Sequence, residues 1–301
     1  MKRREFIATS GLATMGLTLN GMPGKRITTA ADLHEYLRSL YTIKEPSVDR
    51  IIAGDPDTKI KKVGTCWMPY FKTLRKAKEL GINVLIVHEP TFYTHWDLDG
   101  MENLFDRVPS LAQEQYQEAI DKKKKWIEDN NMVIIRSHDV MDIVKGFGMP
   151  FALGKALGFD NSDIVRSKDY FNVYRIKPDT SGNVAKTIAS SLLELNQPGV
   201  AFYGESERIV STVGLGTGCI CNPMQYQELK PDLVIAIDDT IRTWTQTTYA
   251  EDTGDPLVVI NHGTSEEMGM RLLSQHLTAN ISGMDFIHLN QGCSYRWITG
   301  E

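Results

Sequence analysis

Three short segments of the sequence each lead from an apolar run into histidine and carboxylate side chains. They are residues 84–89, 132–142 and 257–266. Apolar runs of four or five residues that end at polar or proline residues are typical of buried strands. Ligands of open α/β sheets gather where buried strands end, and imidazole and carboxylate groups are common metal ligands. We therefore expect the three strand ends to form one composite metal site.

The pair His262 and Glu266 is spaced so that one helical turn would place both side chains on the same face. Thr264 and Glu267 fit a capping box, which predicts that this helix begins at Thr264. The alternative is a helix start that is rich in acid only because acidic groups stabilise the helix dipole.

The other two segments also have a second interpretation. His138 and Asp142 repeat the four-residue spacing, but Asp139 and Asp142 are also typical turn residues. For His88 and Glu89, the alternative is a strand end that is followed by a solvated glutamate. Each pair alone is therefore weaker evidence for a metal than the three segments together.

The elements that must position these groups alternate between helix and strand. Helices are predicted over residues 28–41, 70–80, 111–129, 151–157, 184–195 and 264–277. Strands are predicted over residues 63–67, 84–87, 132–136, 170–176, 200–203, 209–215, 233–237, 257–260 and 286–289. The alternation predicts an α/β fold with two α/β lobes, the second inserted into the first, and parallel strands in the first β-α-β unit. The metal-binding lobe is predicted to comprise residues 28–160 and 250–301, and the second lobe residues 161–249.

The first 27 residues differ from the rest of the chain. Arg3 and Arg4 are followed by Phe6 and Ile7, which resembles a twin-arginine export signal. The mildly apolar stretch behind them is too short to span the ~30 Å hydrocarbon layer of a bilayer. The sequence thus predicts a periplasmic protein with a cleaved signal over residues 1–27, and an ordinary disordered start is the alternative.

The composition and charge of the chain limit the classes of binding partner that we expect. A chain of 301 residues can bury a sizeable core, and its formal charge of −5 gives no electrostatic reason to bind nucleic acid. We interpret the basic run of residues 122–125 as a solvated helix face. The four cysteines have no metal-ligand spacing and are interpreted as buried or inert, with a disulfide as the alternative in the periplasm. We expect no nucleic acid partner and, after removal of the signal, no membrane partner.

The order of the motifs resembles the NIF-three-like family, which is also described as GTP cyclohydrolase I type 2-like. The residues that carry the resemblance are the run 63–93, the segment from His138 to Asp142 with the glycines behind it, and the segment from His262 to Glu266. The resemblance covers roughly residues 45–301. It implies a dinuclear metal-binding protein that is built from two α/β lobes and assembles as a ring-shaped homohexamer. Carried across position by position, the implied metal ligands are His88, Glu89, Asp142, His262 and Glu266.

Two departures from the family pattern affect the site. The family has His-His-Pro where this chain has His88-Glu89-Pro90. Either Glu89 binds as the second histidine does, or His95 from the long loop over residues 92–109 replaces it. A site rich in oxygen ligands favours Mn²⁺, Fe²⁺ or Mg²⁺ over the Zn²⁺ of an imidazole-rich site. The family's Gly-Asp-x-x-x-His pattern is also missing, because no histidine follows Asp238 and Asp239.

These observations predict a metal-dependent hydrolase that acts on an unidentified small-molecule substrate. Two divalent ions (Mn, Fe or Zn) would lower the pKa of a bridging water, with Glu266 held between them. His88 and His262 are expected to serve one ion, and Glu89 and Asp142 the other. His138 is the candidate catalytic residue, either as a general acid–base or as a group that orients a ligand. The alternatives are a non-catalytic metal-binding or scaffold protein that forms a ring oligomer, and a lobe without metal.

Overall fold

The computed structural model describes residues 26–94, 110–298 and 300. Residues 1–25 of the predicted signal (residues 1–27) and the alternative ligand His95 therefore lie outside the described residues. The helices are α1 (Ala30–Ser39), α2 (Phe71–Glu79), α3 (Ser110–Asp129), α4 (Asp139–Ile143), α5 (Met149–Ala156), α6 (Ser181–Ser191), α7 (Thr248–Thr253) and α8 (His262–Asn280). The strands are β1 (Arg50–Ala53), β2 (Val63–Cys66), β3 (Val84–Val87), β4 (Val133–Arg136), β5 (Ile164–Lys168), β6 (Phe171–Thr180), β7 (Ala201–Tyr203), β8 (Ile209–Leu215), β9 (Leu233–Ile237), β10 (Leu257–Ile260) and β11 (Phe286–His288).

The strands form two sheets, which confirms the α/β class. The first has five strands in the order β1-β4-β3-β2-β11, and the second has six in the order β5-β6-β8-β9-β10-β7. In the first sheet β2, β3, β4 and β11 are parallel, as predicted for β2 and β3, and only β1 is antiparallel. In the second sheet β8, β9 and β10 are parallel. The second sheet is inserted between β4 and β11 of the first along the chain.

Strand β10 was assigned to the wrong lobe. It pairs with β9 and β7 in the second sheet, although residues 257–260 are predicted to belong to the first lobe. All four residues of β10 are buried, and so are all four residues of each of the strands β2, β3 and β4 in the first sheet. A uniformly apolar strand predicts burial but does not identify its ladder partner, because tertiary packing decides the pairing. Helix α8 and strand β11 return to the first sheet as expected, since α8 packs on β2 and β11 pairs with it.

Helix α8 begins at His262, two residues before the predicted start. Its N-cap is Asn261, whose side chain accepts a hydrogen bond from the backbone N–H of Thr264. Glu267 takes no part in a capping box, because its carboxylate accepts instead from His288 and from the backbone of Gln291. The earlier start makes His262 the first residue of the helix and places Glu266 one turn further on.

The lysine run on α3 is not wholly a solvated face. Lys123 is 6% exposed, and its Nζ donates to the backbone oxygen of Thr91 over 2.9 Å. Burial lowers the pKa of this amine. Lys122, Lys124 and Lys125 are exposed, as predicted. Lys123 thus ties α3 to the segment that directly follows His88 and Glu89.

The cysteines confirm the interpretation only in part. All four are free thiols, and Cys66 and Cys221 are buried. Cys219 is exposed and Cys293 is partly buried, so burial applies to only two of the four cysteines. Within the described ranges, no helix is both long and apolar enough to cross a bilayer.

Candidate metal centre

The candidate metal centre lies where the carboxyl ends of both sheets meet. Strands β3 and β4 of the first sheet end at Val87 and Arg136, directly before His88 and Ser137. In the second sheet, β9 and β10 pair in register up to Ile237 and Ile260, and Asp238 and Asn261 follow. Because parallel neighbours end at the same edge, each sheet delivers its polar residues to one side.

Potential ligand atoms of the described residues form four overlapping groups. Two contain His138, namely His88 with Glu89 and His138, and His138 with Asp139 and Asp142, and the other two contain Glu266. In the first group with Glu266, ligand atoms of His88, Asp142 and Glu266 lie within 4.8 Å of one another. Ligand atoms of Glu89, His262 and Glu266 meet the same limit in the second. Glu266 belongs to both of these groups, which places it between two potential ion positions. This pairing differs from the expected one, because each histidine has its own carboxylate instead of sharing an ion with the other histidine.

The distances within the two groups that contain Glu266 are short. The Nε2 atom of His88 is 3.5 Å from Oδ1 of Asp142 and 3.4 Å from Oε2 of Glu266. The Nε2 atom of His262 is 3.1 Å from Oε1 of Glu89 and 3.1 Å from Oε2 of Glu266. All five residues that the resemblance implied as ligands are therefore brought together. The choice between Glu89 and His95 stays a prediction, because His95 lies outside the described residues.

The ring of His88 is fixed by its surroundings. Its Nδ1 faces the backbone oxygen of Ser137 at 3.2 Å, and a carbonyl accepts only, so Nδ1 carries the proton. The ring of His138 stacks on it with centroids 4.4 Å apart and planes at 9°. The tautomer leaves the lone pair of Nε2 directed at Asp142 and Glu266.

The ring of His262 is held from the second sheet. Its Nδ1 donates to Oδ2 of Asp239 over 2.7 Å. Asp238 accepts from the backbone N–H of His262 over 3.0 Å and from the side-chain amide of Asn261 over 2.9 Å. The turn after β9 therefore fixes both the start of α8 and the orientation of its first side chain.

Glu266 is held on both sides. The indole Nε1 of Trp67, the residue after β2, donates to its Oε2 over 2.8 Å. On the other side lies Gly218, whose φ is +68°, and a Cβ built there would be 2.7 Å from Oε1 of Glu266 and 3.5 Å from Nε2 of His262. A side chain at residue 218 would displace the carboxylate, so glycine is required here by both space and backbone conformation.

The short helix α4 carries Asp142 and is capped by a distant residue. The buried carboxylate of Asp49 accepts from the backbone N–H groups of His138, Asp139 and Val140. The Nδ1 atom of His138 lies 3.1 Å from Asp139 and 3.3 Å from Asp142. His138 thus touches the ligand Asp142 and covers the ring of His88, which suits a group that moves a proton or orients a ligand.

The protonation equilibria show how strongly anionic the cluster is. Burial opposes charge on His262, yet Glu266 and Asp239 raise the pKa of His262 far above its ordinary value. Burial likewise opposes charge on His138, and Asp142 raises its pKa to about 10. Burial raises the pKa of Asp142 to about 6 despite the opposing imidazoles. Burial also disfavours the charged form of Glu266, but His262 and His88 lower its pKa. The carboxylates of this buried site therefore favour positive charge, which protons on the imidazoles or bound cations can supply.

A pair of divalent cations fits this donor set. The Nε2 atoms of His88 and His262 are buried and have no hydrogen-bond partner of acceptable geometry. Buried polar atoms are almost always satisfied, so two orphaned imidazole nitrogens that face carboxylates are better explained as metal ligands. Three carboxylates and two imidazoles are ligands that Mn²⁺, Fe²⁺ and Zn²⁺ accept.

Several residues of the site were missed by the sequence analysis. They are Asp49, Trp67, Gly218 and Asp239. Asp239 is a carboxylate just beyond a buried strand, so the rule that selected His88 applies to it, whereas Trp67 is neither a histidine nor a carboxylate and falls outside that rule. Asp49 and Gly218 act through backbone capping and close approach, which leave no side-chain pattern in the sequence.

The chain is thus an α/β protein of two sheets, with a buried cluster of histidines and carboxylates where the carboxyl ends of the sheets meet. The family model of Duf34/NIF3 (NGG1p interacting factor 3) matches residues 31–291. The chain therefore belongs to the Duf34/NIF3 family, as its motif order indicated. No curated protein matches the chain.

Solved structures share the fold. A hypothetical protein of Staphylococcus aureus, SA1388, is 18% identical with a TM-score of 0.70, over 90% of this chain and 99% of its own. Reduced HcgD from Methanocaldococcus jannaschii is 20% identical with a TM-score of 0.65, over 88% and 100% of the two chains. A Bacillus cereus protein related to NIF3 is 14% identical with a TM-score of 0.67, over 91% and 100%. At these identities the likeness concerns the fold alone.

Proposed function

We propose that the protein is a metal-dependent hydrolase that uses two divalent ions. The observation that carries the proposal is the position of Glu266 within 3.4 Å of the buried Nε2 atoms of both His88 and His262. A carboxylate shared by two ligand groups is the arrangement that a dinuclear site needs. When bound, such ions polarise a scissile bond and lower the pKa of water.

The residues of the chain supply positioning and proton transfer. Trp67 and Gly218 hold Glu266 from opposite sides, so the shared carboxylate has little freedom to rotate. Asp239 keeps the proton of His262 on Nδ1, and the backbone of Ser137 does the same for His88. Because these side chains are already held in position, ordering them when metal binds costs less free energy.

His138 is the proposed acid–base residue. Its ring is partly exposed, with 21% of the side chain accessible, while it contacts Asp142 at 3.3 Å. It therefore reaches both the ligand shell and the solvent, as a residue that delivers a proton to a leaving group must.

Turnover by ligand variants tests the proposal. The metal-loaded protein is assayed with Mn²⁺ against phosphoesters, carboxylic esters and amides, alongside H262A and E266Q. We expect hydrolysis of at least one class, with kcat/KM lowered about 100-fold or more in both variants. His276→Ala is the matched control, because His276 lies on the same helix but stacks on Phe147 outside the site.

The melting temperature of each metal-free variant is measured in parallel. Removing one member of a buried ion pair can itself cost about 3–5 kcal/mol of stability, so loss of turnover counts only in a variant that stays folded at the assay temperature. Full occupancy by two ions with no turnover on any substrate class would contradict the hydrolase and support the non-catalytic binder.

A further inference from the structure

A polar cavity adjoins the metal centre on the side of the second sheet. Its volume is about 490 Å³, and its lining residues are Cys219, Asn222, Gln225, Asp239, Thr240, Arg242, Thr245 and Gln246. Two of them connect it directly to the centre. Asp239 holds His262, and Cys219 follows the glycine that lies against Glu266. A volume of this size suits a small metabolite.

The lining is rich in hydrogen-bond donors. Among the lining residues, Arg242 provides the one guanidinium group. This group has no acidic partner among the described residues. The only carboxylate of the lining, Asp239, is already bonded to His262. Oε1 of Gln246 accepts from the backbone N–H of Arg242, and Oδ1 of Asn222 accepts from that of Met224, so both amide groups keep their N–H donors.

The segment that carries these donors also supports the metal centre. Asp238–Thr240 forms a 3₁₀ turn after β9, and Thr243–Thr247 forms a π-helix directly after Arg242. Single π-helical turns occur frequently at functional sites, because they redirect side chains that a regular helix would not place. Only two residues separate Asp239 from Arg242, so a ligand at Arg242 lies close to Asp239, the residue that holds His262.

We propose that this cavity binds the phosphate group of a small-molecule substrate, with Arg242 as its ion-pair partner. The proposal rests on the proposed hydrolase function and names its substrate class. A guanidinium fork and several amide donors together suit an anion with three terminal oxygens better than a carboxylate with two. The bond to be hydrolysed then lies at the adjoining metal centre.

Calorimetric titration of inorganic phosphate into the metal-loaded protein tests the assignment. We expect the Kd to rise about 10-fold or more in Arg242→Ala, because a charge-assisted hydrogen bond is lost, and to rise less in Arg242→Lys. Arg175→Ala is the matched control, since Arg175 is an exposed arginine of β6 that does not line the cavity. Metal content and melting temperature should be equal in all four proteins.

Kinetics separate this inference from the proposed function. With a phosphate-bearing substrate, Arg242→Ala should raise KM and leave kcat nearly unchanged, because the residue binds a part of the substrate that does not react. An unchanged phosphate Kd in Arg242→Ala would overturn the inference and leave the hydrolase intact. Phosphate binding that depends on Arg242, without turnover on any substrate class, would support the phosphate site in the cavity and contradict the proposed hydrolase function.

Discussion

The Nδ1 atom of His262 donates to Oδ2 of Asp239 over 2.7 Å, and this bond joins the start of α8 to the turn after β9. A carboxylate that accepts from a ligand histidine fixes the ring tautomer and makes the other nitrogen a better donor to a metal. The opposite nitrogen of His262 is the one that faces Glu89 and Glu266. Asp239 therefore acts on the candidate centre through His262.

Asp239→Asn should weaken metal binding. The amide retains the size of the side chain but loses the charge that favours an Nδ1 proton, and such changes cost about 10- to 100-fold in metal affinity. Calorimetric titration of Mn²⁺ into the metal-free variant measures the effect. Asp163→Asn, at an exposed position that belongs to none of the ligand groups, is the control. Equal affinities in the two variants would exclude the orienting role of Asp239.

Gly218→Ala should weaken metal binding for a steric reason. The new Cβ would lie 2.7 Å from Oε1 of Glu266, which must then move away from His262. The substitution also strains a backbone with φ of +68°, and that strain alone costs about 1–2 kcal/mol of folding free energy.

Gly81→Ala separates the two effects. Gly81 has a φ of +74°, yet nothing lies within 4 Å of a Cβ built there. Both variants should lose similar stability in denaturant titrations, but only Gly218→Ala should lose metal affinity. Similar metal affinities in both variants would show that the contact with Glu266 is not limiting.

Lys123→Ala should destabilise the protein by about 1–3 kcal/mol. The substitution leaves the buried backbone oxygen of Thr91 without its donor and removes the packing of the lysine stem. Lys122→Ala, on the exposed face of the same helix, should change the free energy of unfolding by less than about 0.5 kcal/mol. Urea unfolding measures both, and equal effects would mean that the buried position of Lys123 has no energetic consequence.

Much of the fold follows from local patterns. The buried strands at Val84–Val87 and Val133–Arg136 were predicted because uninterrupted apolar runs are typical of parallel sheets. The pairing of β10 with β9 was not predicted, because the same uniform pattern fits either sheet. Strand β1 was missed altogether, since Arg50–Ala53 is short and half-buried at the edge of its sheet.

The ligand residues were easier to predict from the sequence than the residues that hold them in position. His262 and Glu266 are four residues apart on one helix, so their proximity follows from helical geometry alone. The contact between Glu266 and His88 joins distant segments, and its prediction depended on the rule that ligands gather where buried strands end. Asp49, which caps α4 from far along the chain, has no signal in the local sequence. The export signal and the ring assembly stay predictions.

The number of divalent ions bound per chain is the sharpest test of a dinuclear centre around Glu266. The protein is purified without chelator, its metal content is measured, and anomalous diffraction places each ion. We predict two ions per chain, one held by His88, Asp142 and Glu266 and the other by Glu89, His262 and Glu266. A protein that holds no ion at these residues, or only one ion that Glu266 does not touch, would contradict the account.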